Sequence, residues 1–274
     1  MEMMRIDMPV EIEHGPLRAF SQDEFHELDH KVMGIVFGIH NEFGRFLEEL
    51  LYKREIEARC LDAGIPTERE LRVWVRFGSF SKEYRIDLVF SHGVIFEAKT
   101  AENLTLAHEA QTLNYLMLTD THHGKLVNFR PERVQWQFIS TQLTSQVRRH
   151  VTIDDCRWRS VNERSELLKN TMVDLVHDWG AFLECQLYRG ALTHFLGGEE
   201  SIVRPVPVFS DTRKIGEQEV HLVTDDIAFA VTAVTESAAG MRSHLSRFLT
   251  HTRLLHLHWI NLNHHRIEFE TLSR

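Results

Sequence analysis

The sequence has no long apolar run and no recognisable export signal. Its apolar stretches, such as 35–37 and 95–96, break after two or three residues, whereas a membrane helix needs about 20. The first ten residues carry Glu2, Arg5 and Asp7 and have no apolar core of the kind that a secretory signal requires. We therefore expect a cytoplasmic protein with no membrane partner.

Cysteine is also scarce. Cys60, Cys156 and Cys185 are widely spaced and form no CxxC pair. This spacing excludes a disulfide framework and a cysteine-rich zinc site, and it agrees with reduced thiols.

The composition is that of a globular chain. Of the 274 residues, 43% are hydrophobic and 26% are charged, which excludes disordered and collagen-like classes. The length favours two small domains or one large one. The net charge of -9 argues against a broad nucleic-acid footprint but leaves room for a local basic groove.

The chain contains a second, diverged copy of its first half. Segment 44–53 reads in register with segment 180–189, and the order of the later segments repeats at an offset of 133 to 136 residues. We interpret this as a tandem duplication.

Hydrophobic periodicity predicts the order α-α-β-β-β-α-β-β for the first copy. The helices are expected at 23–40, 47–63 and 106–118, and the strands at 70–77, 83–90, 94–99, 125–128 and 134–139. Ser21 and Glu24 have the spacing of a helix-capping pair. We expect an N-terminal extension over 1–22, an intact domain over 23–141, a polar linker over 142–160 and a second domain over 161–274.

Three polar residues stand out at the ends of two adjacent predicted strands. Glu97 and Lys99 share a face because they are two residues apart on a strand, and a hairpin register brings Asp87 beside them. Two carboxylates at one place repel each other unless a cation bridges them, and oxygen ligands suit Mg²⁺ or Mn²⁺. A neighbouring lysine can hold the attacking water or stabilise charge on a phosphorus centre. The alternative is an ordinary surface salt bridge.

Four motifs carry a family resemblance. They are Glu49–Tyr52, Tyr84–Leu88, Phe96–Lys99 and His108–Leu116. In this order and spacing, residues 28–140 resemble the GxxExxY protein family of the PD-(D/E)XK nuclease-like superfamily. The resemblance implies an α/β fold with a central mixed sheet flanked by helices, and for the whole chain two tandem restriction-endonuclease-like domains.

The resemblance also implies roles for individual residues. Its catalytic set would be Glu49, Asp87, Glu97, Lys99 and Gln111, with the metal, Mg²⁺ or Mn²⁺, on Asp87 and Glu97. Tyr52 and Tyr115 would line the site. Independently of the resemblance, basic residues cluster between Lys53 and Arg85 and could hold a substrate backbone. The sequence departs from the family at one point, since Phe46 stands at the name-giving glycine.

The second copy has lost these polar groups. The alignment places Cys185 at Glu49, His221 at Asp87, Ala230 at Glu97, Thr232 at Lys99, His244 at Gln111 and Phe248 at Tyr115. We expect a catalytically inactive repeat that serves as an intrachain structural partner, forming a pseudo-dimer.

These observations lead to one main hypothesis and two alternatives. The main hypothesis is metal-dependent hydrolysis of phosphodiester bonds in nucleic acid, with DNA as the first expectation. A non-catalytic scaffold that binds nucleic acid or protein is the second reading. A hydrolase acting on a small phosphorylated molecule is the third.

Overall fold

The structure is a computed structural model that describes residues 9–274. Its contacts divide the chain into two units. One runs to Arg76 and includes Ser81–Ser145, and the other comprises Phe77–Phe80 and Gln146–Arg274. None of the helices in the described part is long and apolar enough to cross a membrane.

The first unit contains three helices and six strands. In chain order these are β1 (Val10–Ile12), α1 (Gln22–Phe43), α2 (Glu49–Asp62), β2 (Thr67–Phe77), β3 (Phe80–Phe90), β4 (Val94–Lys99), α3 (Leu106–Thr119), β5 (His123–Asn128) and β6 (Gln135–Ser140).

The strands form one mixed sheet in the order β1-β2-β3-β4-β5-β6. β3 and β4 are antiparallel, as are β5 and β6. β4 and β5 are parallel, so the chain must cross between them, and α3 makes this connection. The predicted acidic strand β4 is therefore a central strand with hydrogen-bonded neighbours on both sides.

Local sequence signals set the ends of α1. The side chains and backbones of Ser21 and Glu24 form the reciprocal capping box at its start. Gly44, with φ of 72°, ends the helix in a conformation that favours glycine. The buried face of α1 carries Phe25, Val32 and Val36, which pack with residues of α2 and of the sheet in one apolar core.

The second unit has a similar set of elements. They are α4 (Ser145–Arg148), β7 (Thr152–Arg157), α5 (Glu163–Trp179), α6 (Cys185–Phe195), α7 (Glu199–Ile202), β8 (Val203–Ser210), β9 (Arg213–Thr224), β10 (Ile227–Thr232), α8 (Ala238–Thr250), β11 (His256–Asn263) and β12 (Arg266–Ser273). Their sheet has the order β7-β12-β11-β10-β9-β8, and β10 and β11 form its parallel pair.

The predicted fold class is confirmed. Each unit has a six-stranded mixed sheet flanked by helices, consistent with two tandem nuclease-like domains. The predicted order of helices and strands in the first copy is also observed, with β1 as an additional element.

Two hydrogen-bond arrangements recur in both units. Tyr52 donates its hydroxyl hydrogen to the Gly44 carbonyl at 2.6 Å, and Tyr188 does the same to Gly180. At the end of the parallel strand pair, the Asn128 amide exchanges hydrogen bonds with the Ala101 backbone, and Asn261 does so with the Val234 backbone. The two units therefore share these side-chain contacts as well as a similar sequence.

Two polar segments contain strands that hydrophobic periodicity did not indicate. β1 lies in the expected N-terminal extension and pairs with β2. β7 lies in the expected linker 142–160 and pairs in parallel with β12. Both are edge strands of three and six residues. A short edge strand buries little apolar surface, so it lacks the pattern of a core strand.

The strand register corrects one part of the sequence alignment. His221 pairs with Phe229 in the second sheet, as Leu88 pairs with Phe96 in the first. Since Phe229 corresponds to Phe96, His221 lies at the position of Leu88. Val220, not His221, therefore lies at the position of Asp87.

Candidate active site

The acidic and basic residues of β4 lie on one face, as their spacing predicts. Lys99 Nζ lies 3.0 Å from Glu97 Oε2. The side chain of Glu97 is about 1% exposed, because β4 is a central strand. A carboxylate this deeply buried needs partners, and Lys99 is one of them.

Asp87 lies where β3 and β4 separate. The pairing of these strands covers Leu88–Phe90 and ends at Phe96. Beyond that point, side-chain oxygens replace the strand-to-strand hydrogen bonds. Asp87 Oδ2 accepts the hydrogen of Ala98 N at 3.0 Å, and Glu97 Oε1 accepts the hydrogen of Asp87 N at 3.2 Å. The two carboxylates thus satisfy backbone groups that the strands no longer pair with each other.

A second lysine completes the site. Lys53, on α2, places its Nζ 2.8 Å from Asp87 Oδ1 and 3.5 Å from Glu49 Oε1, and it also contacts Glu70. The sequence predicted Lys53 only as one of the basic residues that could hold a substrate backbone, and it did not indicate Glu70. The signal for Lys53 was its position four residues after Glu49, which places both side chains on one helix face.

These six residues form what we call the charged cluster: Glu49, Lys53, Glu70, Asp87, Glu97 and Lys99. With all groups ionised, its four carboxylates and two ammonium groups leave a net charge of -2. Burial, followed by repulsion from Asp87, raises the pKa of Glu97. The same two causes raise the pKa of Glu49. The negative charges of the cluster therefore outnumber its positive charges.

The pKa values of the two lysines also rise, but for a different reason. Burial alone would lower the pKa of Lys99, but the charges of Glu97 and Asp87 outweigh it and raise that pKa. For Lys53, burial is likewise outweighed by the hydrogen bonds to Asp87 and Glu70, and its pKa rises. Both side chains are thus held as ammonium ions at neutral pH.

The donor chemistry of the cluster fits a divalent cation. Asp87 and Glu97 offer hard carboxylate oxygens, which Mg²⁺ and Mn²⁺ prefer, and the net charge of -2 matches such an ion. Within residues 9–274 no group of three His, Cys, Asp or Glu side chains is already arranged around a common point. A bound cation would therefore exchange contacts with the lysines that now hold these oxygens.

The other predicted site residues lie outside the charged cluster. Tyr52 is fully buried, stacked on Phe129 at a centroid distance of 4.2 Å, so its hydroxyl holds Gly44 and its ring is not on the surface. Arg85 is exposed and pairs with Glu83. Gln111 donates to the Tyr115 hydroxyl at 3.0 Å, and among the described residues no hydrogen bond joins Gln111 to the carboxylates.

The second unit has different chemistry at the equivalent positions. Cys185 begins α6 as Glu49 begins α2. On β10, the register aligns Ala230 and Thr232 with Glu97 and Lys99. Thr232 accepts the indole hydrogen of Trp259 and bonds Asn261, each at 2.8 Å. These bonds are neutral, so Ala230 and Thr232 carry none of the charge that Glu97 and Lys99 carry in the first unit, whereas Arg189 keeps the positive charge of Lys53.

Comparison with known proteins gives a family match within the first unit. A family model described as "PD-(D/E)XK nuclease superfamily" matches residues 26–139. Comparisons with curated proteins and with solved structures gave no significant match. Residues 26–139 thus match the PD-(D/E)XK nuclease superfamily, whereas the narrower GxxExxY resemblance stays a prediction.

The first prediction concerns Lys53. Replacing Lys53 by Met removes the closer of the two ammonium groups that face Asp87, since Lys99 Nζ lies 3.7 Å from its Oδ2. Breaking a buried pair costs about 3–5 kcal/mol in the free energy of unfolding. Arg85→Met is the matched control, because it removes an exposed pair on the same strand as Asp87, for which we expect a loss below about 1 kcal/mol. Urea unfolding in EDTA measures both. Equal losses would show that Lys53 is not the main compensating charge.

The second prediction concerns Glu97 and pH. Because the folded-state pKa of Glu97 is raised above its ordinary value, folding favours the protonated form, and stability is lost as pH rises towards the folded pKa. In EDTA, we expect the melting temperature of wild type to fall relative to that of Glu97→Gln between about pH 5 and pH 8. The exposed Glu236→Gln serves as control. Parallel curves for wild type and Glu97→Gln would contradict the burial argument.

Proposed function

We propose that the N-terminal domain hydrolyses phosphodiester bonds in nucleic acid, with DNA as the first substrate to test. One observation carries the proposal: Asp87, Glu97 and Lys99 meet at the end of a central strand in a domain that matches a nuclease superfamily. Superfamily membership favours hydrolytic chemistry but does not by itself identify a polymer. The net charge of -9 makes recognition local, because the chain as a whole repels nucleic acid.

In this proposal the metal is Mg²⁺ or Mn²⁺, held by Asp87 and Glu97. A bound divalent cation polarises the phosphoryl oxygen and lowers the pKa of a water ligand. Lys99 remains an ammonium ion and holds charge that develops on the phosphate, or orients the water. Glu49 and Lys53 fix the Asp87 side of the site from α2.

The proposal assigns no chemistry to the second unit. Its equivalent positions hold Cys185, Val220, Ala230 and Thr232, which offer no paired carboxylates. It retains the tyrosine and asparagine contacts that shape the first unit. We propose that this unit is an inactive structural partner within the chain.

A non-catalytic scaffold is the second candidate. It is favoured by the two lysines, which already occupy oxygens of both Asp87 and Glu97. In a scaffold these ion pairs would be permanent, and no cation would need to replace any of them. Cleavage of nucleic acid by the wild type distinguishes a nuclease from a non-catalytic scaffold.

The test is cleavage of labelled single- and double-stranded DNA and RNA in Mg²⁺ or Mn²⁺. We expect the wild type to cleave at least one polymer. Lys99→Met removes a charge that acts on the transition state, and we expect a loss of about 100- to 1,000-fold. Glu97→Gln should lose activity with its metal ligand, while Glu236→Gln, an exposed acid that follows β10, should retain it.

Two results would contradict the proposal. Folded wild type that cleaves no polymer would favour the scaffold. Cleavage that persists in both Lys99→Met and Glu97→Gln would place the chemistry elsewhere.

A further inference from the structure

The loop that precedes α2 presents an exposed aromatic ring beside the charged cluster. Phe46 is 76% exposed, whereas the exposed aromatic rings of Phe37, Phe43 and Trp136 are 41–51% exposed. It lies three residues before Glu49, so the two Cα atoms are at most about 11 Å apart. This is the position at which the chain departs from the glycine of the family that it resembles.

The loop is held in place from two sides. On one side, the Tyr52 hydroxyl donates a hydrogen bond to the Gly44 carbonyl at 2.6 Å and accepts one from Leu47 N at 3.4 Å. From the side, the Arg130 guanidinium donates to the carbonyls of Arg45 and Thr100, each at 3.2 Å. The exposure of Phe46 is therefore imposed by the fold and is not the result of a loose loop.

These contacts also fix where the ring lies. Thr100 directly follows Lys99, so Arg130 ties the Phe46 loop to the end of β4 that bears the reactive groups. Arg45 lies over the Phe46 ring, with its guanidinium carbon 5.1 Å from the centroid. An aromatic face and a positive charge thus stand together at the rim of the charged cluster.

The second unit has a loop at the corresponding place, in which Phe182 has a φ of 69° and its ring is covered. Tyr188 holds Gly180 as Tyr52 holds Gly44. There, however, Phe182 packs against His265 with a centroid distance of 4.8 Å and against His264 at 5.8 Å. In the unit without the charged cluster the ring has partners, and in the unit with the cluster it is open.

We infer that Phe46 stacks on an unpaired nucleobase of the substrate, next to the phosphate that the charged cluster receives. Every base has a face that can stack on an aromatic side chain, and Arg45 is placed to meet the adjoining phosphate. Bases inside a duplex are already stacked, so the inference specifies single-stranded nucleic acid or a frayed end. It rests on the proposed function, whose substrate class it narrows.

Binding tests the inference without cleavage. The probe is a fluorescein-labelled 12-nucleotide single-stranded DNA, titrated with protein in EDTA and followed by anisotropy. We expect Phe46→Ala to weaken binding about 5- to 100-fold and Phe46→Trp to retain it. Leu61→Ala is the control, because Leu61 is 52% exposed on α2, the helix that follows the loop, and lies about 18 Å along that helix from Glu49.

A series of probes with one abasic nucleotide locates the stacked base. At one position, loss of the base should weaken binding to wild type and leave binding to Phe46→Ala unchanged. A blunt duplex should bind wild type and Phe46→Ala equally. Equal binding of the single strand by these two proteins would overturn the inference.

The outcomes separate this inference from the proposed function. If wild type cleaves nucleic acid in Mg²⁺ and Phe46→Ala binds equally well, hydrolysis stands and stacking is wrong. If binding depends on the ring but nothing is cleaved, stacking stands and hydrolysis is wrong. If wild type neither binds nor cleaves, both are wrong.

Discussion

The site depends on the separation of two neighbouring strands. Once β3 and β4 stop pairing, the carboxylates of Asp87 and Glu97 accept the hydrogens of backbone groups at the gap. This holds two acids close together in a buried place, although their charges repel each other. Lys53 and Lys99 offset part of that repulsion. We propose that a divalent cation offsets the negative charge that remains.

The sequence predicted those parts of the structure that local residue patterns determine. Periodicity predicted the main helices and strands, and the i, i+2 rule placed Glu97 beside Lys99. The ion pair between Lys53 and Asp87 was not predicted, because the spacing of Lys53 from Glu49 does not show how α2 packs against the sheet. Tyr52 was expected to line the site, but its ring stacks on Phe129 in the core. Edge strands β1 and β7 were missed because they are short and polar.

The second unit shows that the scaffold does not need the charges. Its tyrosine and asparagine bonds reproduce those of the first unit, while Thr232 and Trp259 make neutral contacts where the first unit has ions. The fold is stabilised by its apolar cores and by these bonds to the backbone. The fold therefore does not account for the charged cluster, and buried groups with shifted pKa values are candidates for a functional site.

The central claim is that the charged cluster binds one divalent cation through Asp87 and Glu97. Calorimetric titration of Mn²⁺ into wild type, Asp87→Asn and the exposed-acid control Glu236→Gln tests it most directly. The account predicts one site per chain in wild type and in the control, and none in Asp87→Asn. A wild type that binds no ion, or a site that survives Asp87→Asn, would contradict it.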